Sequence, residues 1–123
     1  MLVEMLAVAA LQDGGDQTAL AERRGDAAAA LTTCVREASR FTSRLSGTVR
    51  EAADASIDVC NRERSALREI LRRAYPDAQE RNAELESDLG VARTFSTLHV
   101  VLDRSCERDV ACLDFFRSRG VYR

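Results

Sequence analysis

The chain has 123 residues and a formal net charge of -2, and it is 46% hydrophobic and 31% charged, which fits one globular domain. No apolar run approaches the roughly 20 residues of a transmembrane helix, so we expect no transmembrane span. The near-neutral charge argues against a nucleic-acid-binding protein. All 18 basic residues are Arg. Because Arg codons are rich in G and C, this bias indicates a bacterial genome of high GC content.

The N-terminal segment is apolar and short. Met1–Leu11 contains Ala7-Val8-Ala9, which resembles the end of a signal peptide, but it carries an acid and lacks a basic region. The alternatives are a short helix that docks on the bundle or on a second chain, and a weak membrane-surface anchor. A Gly-rich break at Asp13–Asp16 follows. We therefore predict an N-terminal helix or signal-like segment over 1–15 and a single helical-bundle domain over 16–123.

The rest of the chain is patterned as three long helices with few interruptions. Turn signals lie at Gly25-Asp26, Ser46-Gly47-Thr48 and Tyr75-Pro76-Asp77, and a last corner lies within Ser105–Asp109. Between them, apolar residues recur at steps of three and four, as on one face of a helix. No stretch has the alternation of a strand. The sequence predicts an all-α fold, an antiparallel bundle of three long helices with short N- and C-terminal helices.

Two fold-back points predict how the helices pair. Cys34 and Cys60 each lie 13 residues from Gly47, so a hairpin about Gly47 brings them to the same level. A second hairpin about Pro76 places basic residues opposite acidic ones, which favours one register. The predicted charge ladder consists of Arg72 with Glu80, Arg68 with Glu84, and Arg64 with Asp88.

The four cysteines are the most informative residues. No Cys-x-x-Cys spacing is present, and this absence argues against a zinc site and against a thioredoxin-like redox site. We predict two disulfides, Cys34–Cys60 and Cys106–Cys112. The second requires a corner, because a straight helix would separate its cysteines by about 9 Å along the axis. Disulfides imply an oxidising compartment. The alternative is a cytosolic protein with four reduced, buried thiols.

Sequence motifs for catalysis are absent. The chain has no Gly-rich phosphate loop, and its only histidine, His99, has no thiol at neighbouring helical positions. We expect no cofactor, no metal and no catalytic residue, and we place His99 on a helix flank. Phe115, Phe116 and Tyr122 are a candidate interaction patch. The alternative for them is packing over the open end of the bundle.

These features predict a non-enzymatic exported protein, periplasmic or secreted. It would act by binding another macromolecule, with a protein partner expected, or by supporting an envelope structure. The alternative is a cytoplasmic adaptor or regulatory protein with reduced cysteines, possibly a homodimer through Met1–Leu11.

Overall fold

The computed structural model describes the backbone of residues 2–106 and 109–119. Side chains are described for residues 16–106 and for 109, 111, 112, 114, 115, 118 and 119. The helices are α1 (Leu2–Thr42), α2 (Val49–Val59), α3 (Asn61–Ala74), α4 (Ala78–Ser105) and α5 (Val110–Ser118).

The helices form the predicted all-α antiparallel bundle, with three long rods and a short C-terminal helix. α1 is the first rod, α2 and α3 together form the second, and α4 is the third. Ser39 of α1 bonds Ser96 of α4, and Ser43 bonds Asp103 further along both helices, so α1 and α4 run in the same direction. The core between the rods consists of Leu31, Val35, Ala38, Ile57, Cys60, Leu67, Leu71, Leu89 and Ala92.

α1 is longer than the sequence predicts. It runs without interruption from Leu2 to Thr42, so the predicted breaks at Asp13–Asp16 and Gly25-Asp26 are wrong. Glycine inside a helix costs about 1 kcal/mol relative to alanine. At Gly25, contacts on either side offset this cost, since Arg24 binds α4 and Leu31 lies in the core. The expected short N-terminal helix is therefore the first part of α1.

Both predicted hairpin turns are present. Gly47 has a φ of 116°, which favours glycine, and the Thr48 side chain accepts a hydrogen bond from the Glu51 backbone N–H at the start of α2. At the second turn, the Asp77 side chain accepts a hydrogen bond from the Glu80 N–H. These caps fix where the second and third rods begin.

The second rod is broken at Cys60. Its φ of -90° and ψ of 39° depart from the helix, and its N–H bonds the carbonyl of Ile57, three residues earlier. The sequence predicts one continuous helix here, whereas the structure separates α2 from α3 at this residue.

The predicted charge ladder between the second and third rods is wrong, because its members take other partners. Glu84 and Asp88 of α4 accept hydrogen bonds from Arg24 of α1. Two of the ladder's three arginines pair locally, Arg64 with Asp58 and Arg72 with Glu69. A hairpin of two rods leaves out α1, and α1 supplies the cation that Glu84 and Asp88 bind.

Near the Gly47 end, the rods meet through small hydroxyl residues. Ser39 Oγ lies 3.2 Å from Ser56 Oγ and 3.1 Å from Ser96 Oγ, and all three side chains are buried. Thr42 also bonds Ser56. Buried hydroxyls are tolerated only when they are hydrogen-bonded, so this cluster fixes the relative positions of the three rods.

His99 is buried beside this end of the bundle, with 3% of its surface exposed, so its predicted place on a helix flank is wrong. Burial disfavours the charged imidazolium and lowers the pKa of His99 from 6.5 to about 4. Repulsion from Arg36 and Arg40 of α1 lowers this pKa further. His99 is therefore neutral in the folded protein at pH 7.

We expect this burial to make stability depend on pH. Folded His99 has a pKa of about 4, below its ordinary value of 6.5. At a pH between these two values, the unfolded chain therefore binds the proton more readily than the folded protein does. The protein therefore has its full unfolding free energy above about pH 6.5, and this free energy declines on acidification. The unfolding free energy should fall by about 1.3 kcal/mol between about pH 7.5 and about pH 5.5.

Urea denaturation at the two pH values measures this change. His99→Gln should lose most of the pH difference, whatever its effect on stability at neutral pH. An equal acid-induced loss in the variant would show that another group is responsible.

Candidate functional site

The first disulfide lies in the core at the break of the second rod. Cys34 Sγ and Cys60 Sγ are 2.10 Å apart and their Cα atoms are 6.0 Å apart, in the pairing that the sequence predicts. Cys60 is fully buried. The bond joins the C-terminal part of α1 to the junction of α2 and α3, so it ties two rods together away from the Gly47 and Pro76 turns.

The second disulfide closes the corner between α4 and α5. Cys106 Sγ and Cys112 Sγ are 2.08 Å apart. The Asp109 N–H bonds the Cys106 carbonyl at 2.7 Å, and the Asp109 carboxylate accepts a hydrogen bond from the Ala111 N–H. The predicted corner is thus present, and the Asp109 side chain caps the first turn of α5. The cross-link holds the short C-terminal helix against the end of α4.

One group of potential metal ligands occurs among the described side chains. A carboxylate oxygen of Glu63 and the sulfurs of Cys34 and Cys60 all lie within 4.8 Å of one another. Zinc is bound by deprotonated thiolates. Because the two sulfurs are joined in a disulfide, this group is not a metal site in the oxidised protein.

A cleft of about 520 Å³ opens between α1 and the Pro76 turn. Its walls are formed by Gln17, Leu20, Ala21, Arg24, Arg73, Ala74, Tyr75 and Pro76. The walls combine apolar surface with two guanidinium groups. Such a surface suits an apolar side chain or a short segment of a partner.

Arg24 organises this cleft. Its guanidinium bonds Asp88 at 3.1 Å, Glu84 at 2.6 Å and the Tyr75 hydroxyl at 3.2 Å, and it lies over the Tyr75 ring. The pKa of Arg24 is raised, mainly by its hydrogen bond to Asp88. Partial burial acts in the opposite direction and lowers this pKa, but by less. Arg24 therefore stays charged and holds α1, the Pro76 turn and α4 together. This network could not be predicted from the two hairpin pairings, because neither pairs α1 with α4.

A second surface, which we call the α4 face, consists of Val91, Phe95, Leu98 and Val101. Their exposed fractions are 52%, 43%, 36% and 40%. They follow one another at steps of four, three and three, so they form one stripe on the helix. The segment from Thr94 to Leu102 contains no acidic residue and no arginine. Phe95 and Leu98 fit the apolar period of α4, yet both are partly exposed.

The predicted aromatic patch is only partly within the described residues. Phe115 of α5 is 53% exposed, and the Arg119 guanidinium lies 4.9 Å from the centre of its ring. The Phe116 side chain and all of Tyr122 lie outside the described residues. The grouping of these three aromatics stays a prediction.

Comparisons of the chain with family models, curated proteins and solved structures give no match. Within the part of the chain that the structure describes, no helix is both long and apolar enough to cross a membrane.

We expect Arg24 to contribute more to stability than an exposed arginine does. Arg24→Met should lower the unfolding free energy by about 2 kcal/mol, because it leaves the partly buried Glu84 and Asp88 without their cation. Arg93→Met is the matched control, since Arg93 and Asp54 form an ion pair in which both side chains are nearly half-exposed. The control should cost less than about 0.5 kcal/mol. Equal costs in a urea titration would contradict the assigned role of Arg24.

Proposed function

We propose that this is an exported, disulfide-stapled helical protein that acts by binding another macromolecule. The observation that carries the proposal is the pair of disulfides, which account for all four cysteines of the chain. Stable disulfides form in oxidising compartments such as the periplasm or the extracellular space, and are rare in the cytosol.

The positions of the disulfides strengthen this proposal. Cys60 is fully buried, which protects its bond from reductants, and the bond spans 26 residues of sequence. A cross-link of this length stabilises the folded state by about 3.5 kcal/mol in the chain-entropy model. Buried bonds of this kind are typical of structural disulfides, whereas redox-active cysteines are exposed and have low pKa values.

The available surfaces favour binding over catalysis. The cleft presents apolar walls and the guanidiniums of Arg24 and Arg73. These groups hold a partner in place but do not supply a nucleophile or a general base near neutral pH. His99, the only histidine, is buried on the end of the bundle opposite to the Pro76 turn.

The proposal predicts that protein taken from its native compartment contains no free thiol. The test is to quench the cells in acid, alkylate under denaturing conditions, and measure the intact mass. We expect no alkylation without a reductant and four alkylated cysteines after reduction. The reduced sample controls for reagent access.

Four alkylated cysteines without a reductant would overturn the export argument and favour the cytoplasmic adaptor. A second measurement tests the role of the N-terminus. Deletion of residues 1–12 should leave the protein inside the cytoplasm if that segment directs export.

A further inference from the structure

Beside the Cys34–Cys60 disulfide lies a carboxylate that the fold does not use. A carboxylate oxygen of Glu63 and the two sulfurs all lie within 4.8 Å of one another, and Glu63 is partly buried. No described residue donates a hydrogen bond to this carboxylate or forms an ion pair with it. The next residue, Arg64, pairs with Asp58 instead. Because a partly buried carboxylate without a partner is unfavourable, packing alone does not account for Glu63 at this position.

The break in the second rod places Glu63 next to Cys60. Cys60 is the N-cap residue of α3, and Glu63 is the third residue of that helix. Side chains at these two positions lie close together, as they do in a capping box, but the Cys60 side chain makes no capping hydrogen bond. Cys34 of α1 meets them from the first rod. The junction thus gathers two sulfurs and one carboxylate from two rods.

These three donors suit zinc once the sulfurs are reduced. Zinc binds thiolates and carboxylates in a tetrahedron and holds two thiolate sulfurs about 3.8 Å apart. The Cα atoms of Cys34 and Cys60 are 6.0 Å apart, so rotation about the Cα–Cβ bonds reaches that separation. Magnesium and calcium prefer oxygen ligands alone, and Cu⁺ prefers sulfur alone, so the mixed set favours zinc.

We propose that Cys34, Cys60 and Glu63 bind a zinc ion in the reduced chain, before the Cys34–Cys60 disulfide forms. A water molecule completes the tetrahedron. The zinc ion then joins the first and second rods at the same point as the disulfide does later.

The burial of the three ligands fits such a site. Cys60 is buried, whereas Cys34 and Glu63 are only partly buried. The core therefore fixes one ligand, and the other two face a side from which the ion and its water can enter. This inference does not rest on export, because the cysteines of a chain in the cytosol are reduced whether or not it is exported later.

The two states exchange by a balanced reaction. Zinc binding displaces one proton from each of the two thiols. Oxidation by a partner disulfide then joins Cys34 Sγ to Cys60 Sγ and breaks the partner's S–S bond. The two thiolates lose two electrons, the partner becomes a dithiol with two protons taken from solvent, and zinc is released. The proposed site is thus present only in the reduced protein.

Cobalt titration of the full-length chain tests the proposal, because Co²⁺ bound by thiolates absorbs through sulfur-to-cobalt charge transfer. The variant Cys106→Ala, Cys112→Ala leaves Cys34 and Cys60 as its only thiols. It is reduced with a dithiol and separated from the reagent without air. We expect one Co²⁺ per chain, displaced by Zn²⁺ with loss of the band, and no band in the oxidised variant. The same titration of the wild-type chain guards against misfolding of the variant.

Glu63→Gln, made in the same background, tests the third ligand. It should weaken zinc binding at least about 10-fold, because the carboxylate ligand is lost. Glu69→Gln is the matched control, since Glu69 is an exposed acid on the same helix. The control should bind zinc as the unsubstituted background does. Circular dichroism checks that both variants have the same helix content.

Three results would overturn the proposal. The first is a reduced chain, in both the variant and the wild type, that shows no thiolate–cobalt band. The second is equal metal affinity in the reduced and the oxidised variant, which would place the ion elsewhere. The third is a reduced Glu63→Gln variant that binds zinc as tightly as the Glu69→Gln control does.

Discussion

One covalent bond in the core, the disulfide between Cys34 and Cys60, constrains the whole bundle. It joins the C-terminal part of α1 to the junction of α2 and α3, where the second rod leaves helical geometry. Because Cys60 lies in the core among residues of all three rods, the bond fixes the register of the first two rods against each other. The third rod then packs into the groove that they form.

The two halves of the bundle on either side of this bond are built differently. Toward Gly47, the rods meet through the hydroxyls of Ser39, Ser56 and Ser96, whose bonds require one specific arrangement. Toward Pro76, the contact is made by leucines of α1, α3 and α4 and by the Arg24 network. The first half is specified mainly by polar geometry, and the second by apolar burial and charge.

The features that could be predicted from the sequence depend on one or two chain segments. Helical periodicity gave the all-α class, and the symmetry about Gly47 gave the level of Cys34 and Cys60. The predictions are wrong where packing by a third segment decides which residues are in contact. Arg24 takes the acids that a two-rod argument assigns to α3, and packing on both sides of Gly25 keeps α1 continuous through a predicted break. Burial of His99 depends on packing by α1 as well as on its position in the helical period of α4.

The features that bear on function divide in the same way, into those that cysteine spacing predicts and those that depend on packing of the whole bundle. Disulfides could be predicted from cysteine spacing, and they lead to the proposed oxidising compartment. The exposed apolar surfaces could not be predicted. Helical periodicity assigns apolar residues to the core, but it does not show which of them the neighbouring helices leave exposed. Phe95 and Leu98 fit the apolar pattern of α4 and still face solvent in part. The cleft beside Tyr75 depends on the meeting of α1 with a turn about 50 residues away.

If the Cys34–Cys60 bond organises the bundle, its removal should destabilise the protein more than removal of the other disulfide does. The double variant Cys34→Ala, Cys60→Ala should lose about 3.5 kcal/mol of unfolding free energy or more, measured by chemical denaturation under oxidising conditions. The matched variant Cys106→Ala, Cys112→Ala opens a bond that spans only 6 residues. That variant should lose about 2 kcal/mol. If the first variant is no less stable than the second, the account is contradicted.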